Sequence, residues 1–367
     1  RLFFPIILYY IIFTMIYINS RFLTQEVTGS QRFAIEISRQ LKKLLPEARF
    51  VSPKNIIHYD IAKELEVESF GKLTGHLWEQ IELPLYLRKK GSPLFLNLVN
   101  TAPIFYENKI ITVMDLSWKH FPNAVSKKFY LWYKFLIPKI CKTSKLIFTL
   151  SKFSQDDLSN ELKINKDKIK IIHCSFSENF KFLNISKEKI ILSVASLQPY
   201  KNLKGLIKAF IFLKNKNKFF DYKLVLVGGY NKNVFAKTDI FELSKNRNDI
   251  VFTGYLSDEK LVEYYNKASL FVFPSFFEGF GIPPLEAMAC GCPCVVSNAA
   301  SLPEVCGDSA YYVNPYDVED IARGIETVLS DEKLREDLIK KGFENIKRFS
   351  WQDSARKIIQ IIKGNRE

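Results

Sequence analysis

Two glutamates, Glu278 and Glu286, lie on either side of a turn that contains two glycines. The turn is Gly279-Phe280-Gly281, and its glycines allow backbone N–H groups to come close to a ligand. A carboxylate can accept two hydrogen bonds from hydroxyl groups, so the pair of acids suits a ligand that carries many hydroxyls. The spacing therefore predicts a sugar, a ribose, or both at this turn.

The elements around the turn predict an anion site as well. Phe271-Val272-Phe273 is a short apolar run that ends at Pro274, which is typical of a buried strand. Pro283-Pro284 are tolerated only in the first turn of a helix, and Gly291 is placed to end that helix. A glycine turn between the end of a strand and the start of a helix suits a phosphate group. The alternative is a structural turn with solvated glutamates, and the coincidence of glycines, prolines and both acids argues against it.

The run from Glu278 to Pro293, EGFGIPPLEAMACGCP, resembles the signature of retaining, nucleotide-sugar-dependent glycosyltransferases of family 4, which have the GT-B fold. The resemblance implies that Glu278 holds the transferred sugar and that Glu286 holds the ribose of the nucleotide. It also implies an α/β fold with two Rossmann-like parallel-sheet domains that face a central cleft. The resemblance covers nearly all of residues 15–363.

Lys201 follows the predicted strand 189–195 in a loop that leads into a helix. A lysine in such a loop can neutralise a leaving diphosphate, and the resemblance gives Lys201 that role. Many family members have a further basic residue where Tyr200 stands. This chain therefore has fewer positive charges next to the diphosphate than is usual in the family. The backbone near Gly254 and Tyr255 resembles the part of the family that meets the nucleotide base.

In the first half of the chain, Gly29 and Arg32 follow the first predicted strand. The resemblance places a glycine of this loop near the donor phosphates and the acceptor, and it makes Arg32 a candidate on the acceptor side. A plain turn with a surface arginine is the alternative. The amphipathic helix that follows is predicted over residues 31–44.

A second strand of the first half ends at Asp115, which is expected in the catalytic site, with Trp118 on the acceptor side. Family members commonly have a histidine where Met114 stands, and that histidine touches the donor sugar. In this chain the contact is either missing or supplied by another residue.

Length and composition favour two domains and anionic partners. The chain has 367 residues, with 53 Lys and Arg against 39 Asp and Glu, for a net charge of +14. Nucleotide diphosphates, lipid phosphates and nucleic acids would all suit this charge, but no RNA- or DNA-binding motif is present and nucleic acid is not expected. The cysteines have no disulfide-framework spacing, which fits a reducing compartment. We interpret Cys290-x-Cys-x-Cys294 as packing and expect neither a metal nor another cofactor.

The alternation of strands and helices predicts an N-terminal acceptor-side domain over residues 15–180 and a C-terminal nucleotide-sugar-binding domain over residues 187–345. Residues 346–367 resemble the helix that crosses back to the first domain in this fold. Residues 1–14 are an apolar extension, for which a weak membrane anchor is the alternative.

Residues 127–145 mix lysines with aromatic side chains. A basic, aromatic helix can lie in a membrane interface and attract anionic lipids. The alternative is a domain helix with its lysines outside and its aromatics inside. Together with the net charge, this segment predicts a cytoplasmic enzyme that binds peripherally at the inner face of the cytoplasmic membrane.

These features predict a retaining glycosyltransferase that moves a hexose from a nucleotide-diphosphate donor, either GDP-mannose or a UDP- or dTDP-sugar. The expected acceptor is a glycan or a lipid-diphosphate-linked glycan in cell-surface polysaccharide biosynthesis. One alternative is a sugar-nucleotide epimerase of the same fold, which would need catalytic acids and a histidine in the first domain. Another is a non-catalytic binder of an anionic ligand or of nucleic acid.

Overall fold

The computed structural model describes residues 15–229, 239–245 and 247–364. Within these ranges the chain forms two compact units, each built on one parallel sheet. The apolar extension predicted at residues 1–14 lies outside the described residues. The prediction of two Rossmann-like parallel-sheet domains is confirmed.

Unit 1 contains residues 15–119, 126–174 and 351–364. Its strands are β1 (Ile16–Asn19), β2 (Arg49–Ser52), β3 (Glu68–Ser69), β4 (Leu94–Asn97), β5 (Lys109–Thr112), β6 (Leu146–Thr149) and β7 (Ile169–Ile171). They pair in parallel in the order β3-β2-β1-β4-β5-β6-β7, so the direction of winding reverses between β1 and β4. Strands β1, β5 and β6 are buried along their whole length, and β2 and β4 at three of their four positions, as expected for strands that are covered on both faces.

The helices of the first half lie between these strands. They are α1 (Gly29–Leu44), α2 (Tyr59–Glu64), α3 (Gly75–Leu77), α4 (Leu83–Lys89), α5 (Ser117–His120), α6 (Lys127–Thr143) and α7 (Lys152–Leu162). A π-helical turn (Trp78–Glu82) joins α3 to α4. Short 3-10 turns are formed by Arg21–Thr24, Pro122–Ala124 and Lys166–Lys168.

Helix α1 begins earlier than the sequence pattern predicts, at Gly29 rather than near Gln31. Thr28 is the N-cap, and its backbone N–H donates to Gln31 Oε1 at 3.2 Å, so the two residues form a capping box. Gly29 is therefore the first residue of the helix and not part of an open loop.

Unit 2 contains residues 120–125 and the described part of residues 175–350. Its strands are β8 (Glu188–Val194), β9 (Lys223–Val227), β10 (Ile250–Gly254), β11 (Ala268–Phe273), β12 (Cys294–Ser297) and β13 (Tyr311–Val313). They are parallel in the order β10-β9-β8-β11-β12-β13. Here the winding reverses between β8 and β11, and ligands of open α/β sheets bind at such a switch point.

The remaining helices are α8 (Leu203–Asn215), α9 (Asp239–Ser244), α10 (Asp258–Lys267), α11 (Ile282–Ala289), α12 (Leu302–Cys306), α13 (Val318–Ser330), α14 (Glu332–Asn345) and α15 (Trp351–Gly364). Short 3-10 turns are formed by Pro199–Lys201 and Ile346–Arg348. Helix α15 belongs to unit 1, where Trp351 packs edge-on against Phe33 of α1 with ring centroids 6.0 Å apart. Among the described residues, no helix has both the length and the apolar character needed to cross a bilayer.

Two amphipathic helices pack on the sheet of unit 2. Leu203, Leu206, Ile207 and Phe210 of α8 are buried and share one apolar cluster with α13 and the sheet. Asp317 caps α13, because its Oδ1 accepts the N–H of Glu319 at 2.9 Å and that of Asp320 at 3.2 Å. These two helices fix one side of the sheet that carries the candidate site.

Unit 1 buries a lysine, Lys109, at the start of β5. Its Nζ donates to the carbonyl of Tyr106 at 2.6 Å and to Thr143 Oγ1 at 2.8 Å, which ties the loop before β5 to the end of α6. Burial lowers the pKa of Lys109 from 10.5 to about 8. The folded chain therefore releases this proton at a lower pH than the unfolded chain does.

We expect the unfolding free energy of the native chain, compared with a Lys109→Met variant, to rise between pH 8 and pH 10.5. In this window the unfolded state holds more protons, so stability increases with pH, by up to about 3 kcal/mol if the whole shift is realised. Urea unfolding of both proteins across this range measures the difference. A Lys145→Met variant at an exposed position is the control, and a native-minus-variant difference that stays level or falls would contradict the prediction.

Candidate functional site

The site is built from two loops that leave neighbouring parallel strands of unit 2. Strands β8 and β11 pair directly, with Leu192 opposite Phe271, so the loops after them emerge at the same edge of the sheet. The two loops are linked, because the N–H of Phe276 donates to the carbonyl of Tyr200 at 2.8 Å. The sequence-predicted residues Lys201 and Glu278 lie one on each loop.

Lys201 and Glu278 form a two-pronged ion pair. The Lys201 Nζ donates to both carboxylate oxygens of Glu278 at 2.8 Å. The two side chains are only 18% and 9% exposed, so little water screens the attraction. The same Nζ lies 5.6 Å from the ring centroid of Phe273 and 5.3 Å from that of Tyr200. The pair places an ammonium and a carboxylate side by side. The ammonium can bind an anionic group of a ligand, and the carboxylate can accept hydrogen bonds from its hydroxyls.

Asn202 fixes the loop that carries Lys201, and the sequence analysis missed it. Its Nδ2 donates to the carbonyl of Pro274 at 3.0 Å and to that of Pro315 at 2.7 Å, and its Oδ1 accepts the N–H of Gly205 at 3.2 Å. One side chain thus caps α8 and fastens it to the ends of two other loops. The signal for the cap was readable, since asparagine directly before an apolar helix is a preferred N-cap.

The glycine turn after Glu278 packs against Ser301 and Leu302. Ser301 Oγ lies 2.9 Å from the carbonyl oxygen of Glu278 and 2.8 Å from that of Phe280. Gly281 has a φ of +102°, and a Cβ at this position would come within 2.6 Å of Leu302 Cδ2. Only glycine fits there, because both the backbone conformation and the close approach exclude a side chain.

Helix α11 starts directly after this turn with the two prolines in its first turn, as predicted. Glu286 is 7% exposed, and the phenol of Tyr265 donates to its Oε2 at 3.0 Å. Burial, reinforced by the adjacent Glu286 carboxylate, raises the pKa of Tyr265 well above its usual value. The phenol therefore keeps its proton and orients the carboxylate as a hydrogen-bond donor. Nothing in the sequence pattern singled out Tyr265.

Three other predicted donor-site residues lie around the same sheet edge. Gly254 ends β10 with a φ of +74°, and its carbonyl accepts the N–H of Gly228 at 3.0 Å. Tyr255 is 71% exposed. Phe280 is 3% exposed and packs edge-on against Phe349 at 5.4 Å, so its ring is part of the core and only its backbone faces the turn.

The segment 120–125 also contributes to this region of unit 2. The ring of His120 lies 5.0 Å from that of Phe277, the residue before Glu278. The ring of Phe121 lies 5.5 Å from that of Tyr200, the residue before Lys201. The sequence analysis did not select either residue, because neither has a local pattern that marks it.

The cysteine run at the end of α11 is packed into the core. Cys290, Cys292 and Cys294 are all buried, and burial raises the pKa of Cys290 and of Cys292 to about 12. In the parts of the chain that the structure describes, no group of three or more His, Cys, Asp or Glu side chains could hold a metal ion.

The site residues predicted in unit 1 have different structural surroundings. Asp115 Oδ1 accepts the N–H of Ser117 at 2.9 Å and so caps α5. Trp118 is 5% exposed and packs edge-on against Tyr133 of α6 at 5.9 Å. The structure therefore corrects its predicted place on the acceptor side, because α6 covers the indole. At Gly29 a Cβ would meet no atom within 4 Å, so nothing in the described chain requires a glycine there.

Unit 1 has a buried ion pair of its own at the switch point between β1 and β4. Arg21 Nε donates to Glu79 Oε1 at 3.2 Å, and Arg21 Nη2 donates to Thr101 Oγ1 at 2.7 Å. Asn19, the last residue of β1, donates to the same Glu79 oxygen at 3.1 Å. Burial alone would raise the pKa of Glu79, but the Arg21 guanidinium and His76 outweigh it and hold the pKa below its usual value.

Comparison with known proteins agrees with this geometry. Residues 175–345 match the family described as glycosyl transferases group 1. The chain is 28% identical over 374 residues to O-antigen chain mannosyltransferase B of Escherichia coli, which covers 92% of this chain and 96% of that protein. It is 34% identical over 231 residues to the serotype-specific mannosyltransferase WbdA of Escherichia coli, which covers 58% of this chain but only 28% of that protein.

Among solved structures, Anabaena HepE in complex with UDP and glucose is similar with a TM-score of 0.75 and 16% sequence identity. The match covers 96% of this chain and 99% of that one, and it shows the GT-B fold. The fold, the strand-end site and the relatives lead to one conclusion: the chain is a glycosyltransferase, and its residues 175–345 match the group 1 family.

Proposed function

We propose that this enzyme is a retaining, family 4 glycosyltransferase that moves a hexose from a nucleotide-diphosphate donor to a glycan acceptor in cell-surface polysaccharide biosynthesis. The observation that carries the proposal is the Lys201–Glu278 ion pair beside the start of α11. The relatives named as O-antigen chain and serotype-specific mannosyltransferases favour mannose as the sugar, with GDP-mannose as the first donor to test and UDP- or dTDP-sugars next. The acceptor is a glycan or a lipid-diphosphate-linked glycan.

In this proposal the site works by exchanging the partners of one ion pair. The donor diphosphate lies against the Lys201 ammonium, and the sugar hydroxyls donate to the Glu278 carboxylate. As the bond to the diphosphate breaks, negative charge grows on the leaving group, and an ammonium in a poorly solvated site stabilises that charge. The N–H groups of the glycine turn and the first turn of α11 add further positive potential.

The proposed chemistry needs no carboxylate nucleophile. The acceptor hydroxyl enters on the face that the diphosphate leaves, and a diphosphate oxygen takes its proton, so the anomeric configuration is retained. Glycosidases differ, because two carboxylates flank the bond that they cleave. In this proposal both oxygens of Glu278, which accept from Lys201 in the structure, accept from the sugar hydroxyls when the donor binds, and neither attacks carbon. The proposal includes no metal and no other cofactor.

On the acceptor side, Arg32, Asp115 and the backbone near Gly29 remain predictions. The match of residues 175–345 to group 1 glycosyltransferases, and the relatives named as mannosyltransferases, disfavour the epimerase and the non-catalytic binder. The proposed location is cytoplasmic and peripheral, at the inner face of the cytoplasmic membrane, where the net charge of +14 would favour anionic lipid.

A screen of sugar nucleotides tests the donor. A true donor should raise the melting temperature, since a ligand at 100 times its Kd stabilises the folded state by about 2.7 kcal/mol. We expect GDP-mannose to give the largest shift. Analysis of the products with and without a glycan acceptor then tests the reaction, and NMR should show an α-linked product from an α-linked donor. An inverted linkage would overturn retention, and a new sugar nucleotide formed without acceptor would indicate an epimerase.

Replacement of Lys201 tests the leaving-group role. Lys201→Ala should lower turnover by about 100-fold or more, which is the usual loss when one group that stabilises developing charge is removed. The matched control is Lys208→Ala, which removes an exposed lysine from α8. Tyr200→Arg in the Lys201→Ala background should restore part of the activity.

The same variant leaves Glu278 without its ammonium, so unfolding must be measured beside turnover. A double variant, Lys201→Met with Glu278→Gln, removes both charges and separates stability from catalysis. Full activity of a folded Lys201→Ala enzyme would refute the role.

Tyr265→Phe tests whether the phenol orients Glu286 toward ribose. Loss of a hydrogen bond to a charged group costs about 1.5–3 kcal/mol, so affinity for the nucleoside diphosphate should fall by about tenfold or more. Calorimetry with the ribonucleotide and its 2′,3′-dideoxy analogue gives the decisive comparison, because only the ribonucleotide should lose affinity. Tyr264→Phe is the neighbouring control. An equal loss for both nucleotides would mean that Tyr265 supports only the fold.

A further inference from the structure

Unit 1 exposes large apolar side chains from three of its elements. The helical stretch 75–89 presents Leu77, Ile81 and Leu85, which are 61%, 48% and 52% exposed. The loop before β5 presents Phe105, which is 73% exposed. Helix α6 presents Leu131 and Phe135, which are 63% and 48% exposed. We refer to these six side chains as the apolar face.

The two helical elements of the apolar face, the 75–89 stretch and α6, are in contact. His76, next to Leu77, packs against Trp132 of α6 with ring centroids 5.5 Å apart. Trp132 in turn stacks on Phe135 at 6.1 Å. The start of the 75–89 stretch and the middle of α6 therefore lie side by side.

The loop that carries Phe105 is fastened to both helices. Arg88, one helical turn beyond Leu85, donates a hydrogen bond to the carbonyl of Phe105. The buried Lys109 joins the carbonyl of Tyr106 to Thr143 at the end of α6. All three elements that carry the six exposed side chains are therefore joined to one another.

These side chains are not the core-facing side of their helices. The 75–89 stretch already buries Trp78, Leu83 and Leu87 in an apolar cluster with the sheet. Helix α6 buries an aliphatic side made of Leu136, Ile137, Ile140 and Cys141. The apolar face is therefore a second apolar side on each helix, and an exposed apolar patch of this kind marks an interaction surface.

The charge around the apolar face is positive. Residues 127–145 contain six lysines, all exposed, and no aspartate or glutamate. Residues 88–90 add one arginine and two lysines at the end of α4, also exposed. The Nζ of Lys139 lies 3.6 Å from the ring centroid of Phe135, a cation–π contact that places one of these charges directly against the apolar face. Exposed apolar side chains ringed by lysines suit a surface that is apolar inside and anionic outside.

We propose that the apolar face inserts into the interfacial layer of an anionic lipid bilayer, with the surrounding lysines on the lipid headgroups. The inference rests on the proposed location at a membrane, but it adds the segment that enters the lipid and the energy that holds it there. Lysine attraction alone would disappear at high salt, whereas burial of Leu, Ile and Phe side chains does not depend on salt. Binding should therefore have a salt-sensitive part and a salt-resistant part.

Tryptophan fluorescence of the full chain can measure this insertion directly. Of the four tryptophans, Trp78, Trp118 and Trp351 are buried, and the partly exposed Trp132 lies beside the apolar face. Vesicles of phosphatidylglycerol and phosphatidylcholine with brominated acyl chains should quench its emission. Quenching should persist at 0.5 M salt, where the Debye length is only about 4 Å, and should be absent with a Trp132→Phe variant.

A triple variant, Leu77→Gln with Ile81→Gln and Leu85→Gln, keeps good helix formers and removes half of the apolar face. We expect its partition onto anionic vesicles at high salt to fall by about tenfold or more, since each buried apolar side chain contributes a sizeable transfer energy. Phe220→Gln is the control, because Phe220 is 81% exposed but lies in unit 2. Circular dichroism verifies that the variants remain folded.

Each outcome decides a separate point. Vesicle binding without quenching, or binding that vanishes at high salt, would overturn insertion and leave adsorption by charge. Equal binding by the native chain and the triple variant would also overturn it. If the apolar face instead joined two copies of the chain, light scattering would show a dimer that the triple variant dissociates, and lipid binding would be absent. Melting shifts with sugar nucleotides report the donor site independently, so failure of the membrane inference leaves the proposed transferase activity to its own test.

Discussion

The contact between Lys201 and Glu278 joins residues 77 positions apart in the chain. It exists because β8 and β11 are neighbours in a parallel sheet, so their carboxyl ends, and the loops that follow, meet at one edge. A charge as poorly solvated as the Glu278 carboxylate is costly unless it is paired, and Lys201 provides the partner. The features around the pair, namely the Asn202 bridge, the Ser301 contacts and the positive φ of Gly281, keep the two loops in position for it.

Each unit has an ion pair at the switch point of its sheet, and the two pairs differ in how far they are exposed. In unit 1, Arg21 and Glu79 are 5% and 0% exposed and are enclosed by further hydrogen bonds from Asn19 and to Thr101. In unit 2, Lys201 and Glu278 remain more open, and aromatic rings rather than polar groups flank the ammonium. A closed network stabilises its own unit, while a more open pair can exchange partners with a ligand. The difference in exposure is consistent with a structural role for the pair in unit 1 and with the donor-binding role that we propose for the pair in unit 2.

The local parts of this site could be predicted from the sequence, and the parts made by tertiary contacts could not. Glycines, prolines and the spacing of Glu278 and Glu286 are fixed by the backbone of one short segment, so they were readable directly. Tyr265 reaches Glu286 from a different helix, and the carbonyls bound by Asn202 lie 72 and 113 positions away. Trp118 shows the opposite error: an aromatic residue near a strand end reads the same whether it lines a site or, as here, fills the core.

The positive charge of the chain lies in two different settings, which composition does not reveal. The net charge of +14 suggested a diphosphate ligand, yet at the candidate site the pair contributes one lysine that a glutamate already neutralises. The six lysines of residues 127–145 are exposed on unit 1, beside side chains that are apolar and equally exposed. The alternative of a domain helix with its aromatics inside fits only in part, since Phe129 and Phe135 are exposed and the buried side of the helix is mostly aliphatic. Charge that faces outward next to uncovered apolar surface acts on a large anionic partner, whereas charge held in an ion pair acts on one small ligand at short range. In our proposals the two kinds of positive charge therefore serve separate steps, attachment to a surface and stabilisation of a leaving group.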